Sequence, residues 1–387
     1  MSEHQPLLSP HEHTEITFKS SLKYTLFSSK VNVLLIFVPI AFALSGASDS
    51  IVFTMNFIAI IPLAKLLGFA TEEIALRAGS VLGSLLNATF GNAVELILGM
   101  IALKEGLVRV VQASILGSIL SNILLITHHP LFKVLGCCFL LGGWNRSEQE
   151  FNATVAQTST SLLGLTTLSL LIPAAFSATT SGTSNELTSS GIINLSHGTA
   201  IVLLIVYILY LVFQLKTHTE QFQDVADDDE EPHTSLAFSV ITLLLIACLI
   251  AFHAEHLVGA IEGVVEVWGL NETFVGLIIL PIVGNAAEHV SSVTFAMKNK
   301  MNLCIGIAIS SSIQIGLLVC PILVLTGWII SIPMTFFFEI FETVVLFSSV
   351  LIVNYLIADG KSNWLEGALL LAVYAIVAMA FYYHPEV

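Results

Sequence analysis

The chain has 387 residues, of which 55% are hydrophobic and 11% charged, and it carries a formal net charge of −15. Soluble domains are about a quarter charged, so this composition excludes an ordinary soluble protein, and the acidic balance disfavours nucleic acid and favours cationic partners. Apolar runs near ~20 residues and a mean hydropathy of +0.89 indicate an all-α protein that crosses a lipid bilayer many times.

In chain order, residues 1–30 form a mostly polar tail in place of a cleavable signal. Residues 3–8, Glu-His-Gln-Pro-Leu-Leu, have the form of an acidic dileucine sorting signal for vacuoles or lysosomes, and His11 and His13 beside Glu12 read as solvated. Eleven spans follow, at 31–47, 51–67, 79–103, 110–141, 154–176, 195–215, 236–258, 272–297, 303–325, 334–356 and 364–382. The five cysteines lie within these runs without CxxC spacing and read as buried packing residues. The organisation expected is a tail (1–30), a first span (31–49), one repeat (50–217), an acidic segment (218–235) and a second repeat (236–387).

With a cytoplasmic N-terminus, eleven Lys and Arg fall on the cytoplasmic side and two, Lys104 and Arg109, opposite, which supports that orientation. The acidic segment is then cytoplasmic and the C-terminus lumenal.

An internal comparison divides the chain further. Gly91-Asn92-Ala93-Val94-Glu95 recurs as Gly284-Asn285-Ala286-Ala287-Glu288, an offset of 193 residues, and the same offset carries Glu73 onto Glu266, Gly83 onto Gly276 and Ser118 onto Ser311. Polar residues are scarce here, so the coincidence marks a repeat. Each copy holds five spans, and an odd number inverts the second copy, as in secondary transporters whose site lies at the midplane between repeats. The first span stands outside both copies.

An isolated carboxylate in hydrocarbon costs at least ~2.5 kcal/mol, so Glu95 and Glu288 need compensation. Asn92 and Asn285 each precede the glutamate by three residues and share its helical face. Two carboxylates, two amides, the hydroxyls of Ser118 and Ser311 and the amide of Gln314 make an oxygen cage suited to Ca²⁺, with no thiolate for a softer metal. Ser121 and Asn122 offer further oxygens one turn from Ser118. Gly91, Gly99, Gly284 and Pro281 allow close approach and local unwinding. The bland alternative, that these side chains only knit helices together, fits a single Asn better than a repeated motif; a metal-free proton relay is a further alternative.

These segments carry a resemblance. GNAVELILG at 91–99, GNAAEHVSSV at 284–293, SILGSILSN at 114–122, SSSIQI at 310–315, the acidic run and ADGKSNWLEGALLLA at 358–372 resemble the cation/proton exchanger family of the calcium/cation antiporter superfamily, its fungal vacuolar calcium/proton exchangers above all. The resemblance implies eleven transmembrane helices and a multi-pass vacuolar membrane protein that moves cytosolic Ca²⁺ into the vacuole against proton efflux. It also implies cation coordination by Glu95 and Glu288, with Asn92, Asn285, Ser118, Ser311 and Gln314 in support, and no cofactor beyond the transported ions. Both cargoes share the carboxylates, so transport is exchange.

Secondary sites remain open. Glu73, Glu255 and Glu266, with Glu262, either line access routes for protons and cations or are solvated carboxylates. His289 lies about 100° around the helix from Glu288 and is assigned to packing or proton tuning ahead of metal ligation. The run Asp227, Asp228, Asp229, Glu230 and Glu231 binds regulatory Ca²⁺ or is a solvated loop; it lacks EF-hand spacing. One departure stands out: Glu95 to Trp144 spans 49 residues against 40 for Glu288 to Trp328, and the excess coincides with Ile-Thr-His-His-Pro-Leu-Phe-Lys at 126–133. This is an insertion breaking the fourth helix or, the favoured reading, an error such as a retained intron; the transcript decides. Competing functions are an exchanger for Mn²⁺ or a monovalent cation, Na⁺ coupling, a passive channel and an intramembrane hydrolase. Oligomeric state is not legible.

Overall fold

The computed structural model describes residues 17–124, 135–180, 185–219 and 232–384, which excludes the pattern at 3–8, His11 and His13, the interruption at 126–133 and the acidic run at 227–231. Among the described residues the chain is almost entirely helical, apart from two strands of two residues each.

The first element departs from expectation. A helix α1 (Phe18–Phe27) begins inside the segment read as a polar tail, started by a capping box between Thr17 and Ser20. A 99° bend separates it from Lys30–Ala43, which comprises a 3₁₀ stretch, Lys30–Ile36, and α2 (Phe37–Ala43). Asn32 causes the bend to persist: its Nδ2 donates to the carbonyls of Thr25 and Leu26 at 2.9 and 3.1 Å, satisfying the orphan carbonyls at the end of α1.

Helix α3 (Asp49–Ala78) has 30 residues, ~45 Å at 1.5 Å per residue and longer than the ~30 Å hydrocarbon slab. Its last turns carry Glu72, Glu73 and Arg77, and Gly79 at φ +81° ends it. The span expected at 79–103 is split into α4 (Ser80–Phe90) and α5 (Ala93–Lys104). Then come α6 (Val108–Leu124), α7 (Leu135–Gly143), α8 (Ala153–Thr180) and α9 (Asn185–Val212). The second half holds α10 (Leu236–Gly259), α11 (Ile261–Trp268), α12 (Leu280–Met297), α13 (Met301–Gln314), α14 (Cys320–Ile329), α15 (Ile340–Leu356) and α16 (Trp364–Tyr383).

Two π turns in this half share one cause. Val275–Ile279 precedes Pro281 and Ile315–Val319 precedes Pro321. A proline lacks its N–H and crowds the carbonyl four residues back, and widening the helix there relieves both. At the first of these turns Gly117 of α6 packs directly on the Leu277 carbonyl, where a Cβ would collide.

Six described helices are long and apolar enough to cross a membrane, or up to eight if each bent pair counts as one span, while α6 and α15 are shorter apolar helices. Helix α6 is central, with every residue from Ile115 to Leu124 buried, as expected of a helix apolar on all sides. α3 packs along α10, and α7 along α16. Cys137, Cys138, Cys304 and Cys320 are buried, but Cys248 is exposed on α10. It sits on a face with Ile241, Leu244 and Leu245, also exposed, so it faces lipid and not the protein core.

The halves are tied at both ends. At one, strand β1 (Gln149–Glu150) pairs antiparallel with β2 (Lys361–Ser362), and Lys361 bonds Glu148 at 2.7 Å. At the other, Arg109 meets Glu339 and Glu342 at 3.0 and 2.9 Å, and Gln112 donates to the carbonyls of Thr335 and Phe337.

Candidate cation-binding site

The two GNAxE segments meet at the centre of the fold, and their contacts are reciprocal. A Cβ at Gly284 would collide with the Glu95 carboxylate, and one at Gly91 would lie 3.6 Å from Oε1 of Glu288. Each motif's glycine therefore faces the other motif's glutamate; at Gly284 a side chain would displace the carboxylate it faces, whereas at Gly91 the separation is an ordinary contact.

The asparagines follow the same rule. Asn92 Nδ2 donates to Gln314 Oε1 at 2.6 Å, and its Oδ1 accepts from Ser311 Oγ at 3.0 Å. Asn285 Nδ2 donates to Ser121 Oγ at 3.3 Å and back to the Pro281 carbonyl at 3.1 Å, while its Oδ1 accepts from Asn122 at 3.4 Å. Ser121 and Gln314 are themselves related by the 193-residue offset, so equivalent positions on α6 and α13 serve the opposite motif.

Asn122 is the hub that sequence reasoning held only in reserve. Besides Asn285, it donates to Ser311 Oγ at 3.1 Å, and its Oδ1 lies 3.2 Å from Nε2 of His289. Its position at the same offset is Ile315, so the repeat gave no signal for it; its only mark was an amide within an apolar run. His289 is wholly buried and turned toward Asn122, in keeping with a packing or tuning role.

Asn92, Asn285, Ser118 and Ser311 are each at most 3% exposed. Oε2 of Glu95 and Oε2 of Glu288 are buried with no hydrogen-bond partner among the described residues. A buried carboxylate oxygen left bare costs several kcal/mol, so these atoms call for a cation or a proton. A cavity runs from Glu95 and Ser118 past Ser114 to Ala102 and Val110, beside the α5–α6 loop. The oxygens gathered here are carboxylate, amide and hydroxyl, the hard donor set of Ca²⁺.

Glu73, Glu255 and Glu266 are not brought to this centre. Glu73 is 3% exposed and accepts from the backbone N–H groups of His233 and Thr234, at 3.0 and 2.8 Å, and from Thr234 Oγ1 at 2.8 Å, with Arg77 alongside at 3.6 Å. It clamps the segment that leads into α10. Glu255, Glu262 and Glu266 are exposed on α10 and α11.

The sequence matches the sodium/calcium exchanger protein family over residues 48–216 and 238–383. The chain belongs to that family. It is 47% identical to the vacuolar calcium ion transporter of Schizosaccharomyces pombe, over 99% of this chain and 94% of the relative. It is 44% identical to the Ca(2+)/H(+) antiporter of Aphanothece halophytica, over 92% and 96%. Among solved structures it superposes on native YfkE with a TM-score of 0.77 at 36% identity, covering 92% of this chain and 99% of that one. The fold of the H+/Ca2+ exchanger CAX is shared as well, at TM-score 0.70 over 94% of this chain and 89% of that one. This exchanger-family membership covers both motif segments and every residue of the central network.

Proposed function

We propose that this protein is a vacuolar Ca²⁺/H⁺ antiporter, a multi-pass membrane transporter and not an enzyme, which moves cytosolic Ca²⁺ into an acidic compartment in exchange for protons. Its relatives are vacuolar calcium transporters, Ca²⁺/H⁺ antiporters and cation/proton exchangers. The observation that carries the mechanism is the pair Glu95 and Glu288, half-buried on facing segments, each set against the other motif's glycine and each with a buried, bare Oε2.

Two carboxylates balance one divalent cation. When the cation leaves, the same low-dielectric site retains the charges only at high cost, so protons take its place. A site that cannot stay empty couples the two fluxes, because neither cargo departs without the other arriving. Asn92, Asn285, Ser118, Ser311 and Gln314 supply neutral oxygens; Asn122 and Ser121 fix Asn285, while Gln314 and Ser311 hold Asn92.

The architecture proposed is eleven spans, a first helix followed by inverted five-helix repeats at 50–217 and 236–387. The reciprocity of the motif contacts supports it, since a two-fold relation exchanges Gly91 with Gly284 and Glu288 with Glu95. The acidic segment 218–235 is then cytoplasmic, and Asp227 to Glu231 serve as a regulatory Ca²⁺ site. Glu255 and Glu266, being exposed, fit access-path roles better than the clamped Glu73 does. Mn²⁺ remains a second cargo to test.

The experiment is uptake of Ca²⁺, Mn²⁺ and Na⁺ by reconstituted vesicles with and without an imposed pH gradient. Ca²⁺ uptake that needs the gradient and collapses with a protonophore is the expected result. Uptake indifferent to both would make the protein a passive channel.

A further inference from the structure

Helix α1 lies outside both repeats and has three distinct faces. Ser21 and Thr25 are buried against the protein, and Ser21 Oγ accepts from the Ser235 N–H at 3.2 Å. Next around the helix, Phe18, Leu22 and Leu26 are exposed at 66%, 43% and 44% although nothing in their chemistry favours water. Beyond them come Lys19 and Lys23, exposed, with Lys30 exposed just past the C-terminus of the helix. The 99° bend after Phe27 turns α1 away from the direction in which the chain enters the membrane.

An apolar stripe bordered by a lysine stripe, on a helix set across the direction of the spans, is the form of a helix lying in the bilayer interface. The apolar residues reach the acyl boundary, and the lysines extend their stems along it to place ammonium groups among the headgroups. The geometry points to an anionic lipid leaflet as the partner of this face: Phe18, Leu22 and Leu26 insert, and Lys19, Lys23 and Lys30 bind negatively charged headgroups. Charge complementarity selects anionic lipid, because the three lysines have no carboxylate partner among the described ion pairs. The buried face of α1 grips the start of α10 through Ser21, and at its two borders Tyr24 stacks on His233 at 4.2 Å and Phe18 meets Phe238 edge-on at 5.1 Å. Lipid binding at α1 therefore anchors the point where the segment between the halves re-enters the fold, in addition to any transport by the central site.

A lysine near an anionic surface is worth about fivefold in partition. The test is deuterium exchange of the full-length protein in nanodiscs of phosphatidylcholine, with and without phosphatidylserine. Amides of Phe18–Phe27 exchange more slowly when phosphatidylserine is present, added salt shrinks the difference, and the combined Lys19→Gln, Lys23→Gln, Lys30→Gln variant loses it. The corresponding triple Arg variant keeps it. Equal exchange in both lipids, or a difference that survives the Gln variant, overturns the proposal. Protection that ignores lipid charge but is lost on deleting residues 227–231 also overturns it, assigning the lysines to the chain's own acidic run.

Discussion

The two motif segments share a sequence pattern and differ in backbone. In the first, the helix breaks at the motif: α4 stops at Phe90, Asn92 sits at φ −102°, ψ 23°, and α5 begins at Ala93, so Glu95 lies in the first turn of a helix. In the second, α12 runs unbroken through Gly284, Asn285 and Glu288, and the irregularity lies upstream in the π turn Val275–Ile279. Pro281 accounts for the displacement. It corresponds by offset to Ala88, so only the second copy must relax its helix one turn ahead of the motif, and only the first yields at the glycine itself. The pair of carboxylates is thus held by one helix N-terminus and one helix interior. Chemical equivalence of the two glutamates does not require equivalent backbones, only that each reach the other's glycine.

Charge removal is the most severe way to test that pairing. Glu95→Gln and Glu288→Gln each keep an acceptor oxygen but leave a divalent cation facing one carboxylate, an uncompensated charge worth about 3–5 kcal/mol. Ca²⁺ uptake should fall at least about a hundredfold for each, with normal insertion, measured as pH-driven flux in vesicles. A large loss at one position alone would break the equivalence.

The offset-related pair Glu73 and Glu266 offers a contrast in stability. Glu73→Gln disrupts a buried acceptor of several donors and should lower stability by about 1–3 kcal/mol. Glu266→Gln, on an exposed face, should stay within about 0.5 kcal/mol. Thermal unfolding in detergent reads both, and equal effects would show that Glu73 is not a clamp.

The asparagines should respond more mildly than the glutamates. Asn92→Ala and Asn285→Ala remove a neutral oxygen and about 1 kcal/mol of hydrogen bonding, roughly fivefold in apparent Ca²⁺ affinity. Asn92 makes the shorter bonds, 2.6 and 3.0 Å against 3.3 and 3.4 Å across to α6, so its loss should be the larger. Concentration dependence of initial uptake rates distinguishes them.

The smallest effect on maximal transport is expected far from the site. Deleting residues 227–231 should preserve the maximal rate and shift its dependence on cytosolic Ca²⁺. Complete loss of uptake at normal expression would make the acidic run part of the transport core.

How much of this was legible in the sequence follows from where polarity is rare. Glu95, Asn92, Glu288 and Asn285 stood out because an amide or carboxylate in an apolar run demands a partner, and the 193-residue offset matched them in pairs. Which atoms meet was not legible, because the contact of Gly284 with Glu95 joins segments far apart in sequence. Asn122 was visible only as a further oxygen one turn from Ser118, because its offset partner is an isoleucine, and the clamp at Glu73 matched neither an access route nor a solvated carboxylate because its donors, His233 and Thr234, come from beyond the acidic segment. The bend after α1 was hidden because Ser28 and Ser29 read as part of a polar tail, and the side chain that closes α1, Asn32, lies beyond them at the start of the first apolar run. The runs at 110–141 and 334–356 were legible as apolar, but α6 and α15 there are shorter than a full crossing, and the break of the 79–103 run at Gly91 was too local for hydropathy to show.

The account's central claim is that Ca²⁺ and protons occupy the same two carboxylates. Equilibrium Ca²⁺ binding by the purified protein, followed calorimetrically across pH in buffers of different ionisation enthalpy, tests it without the complication of transport. The account predicts that binding releases protons, that affinity weakens as pH falls, and that Glu95→Gln and Glu288→Gln each reduce the proton release along with the affinity. Binding that is independent of pH and releases no protons would contradict it.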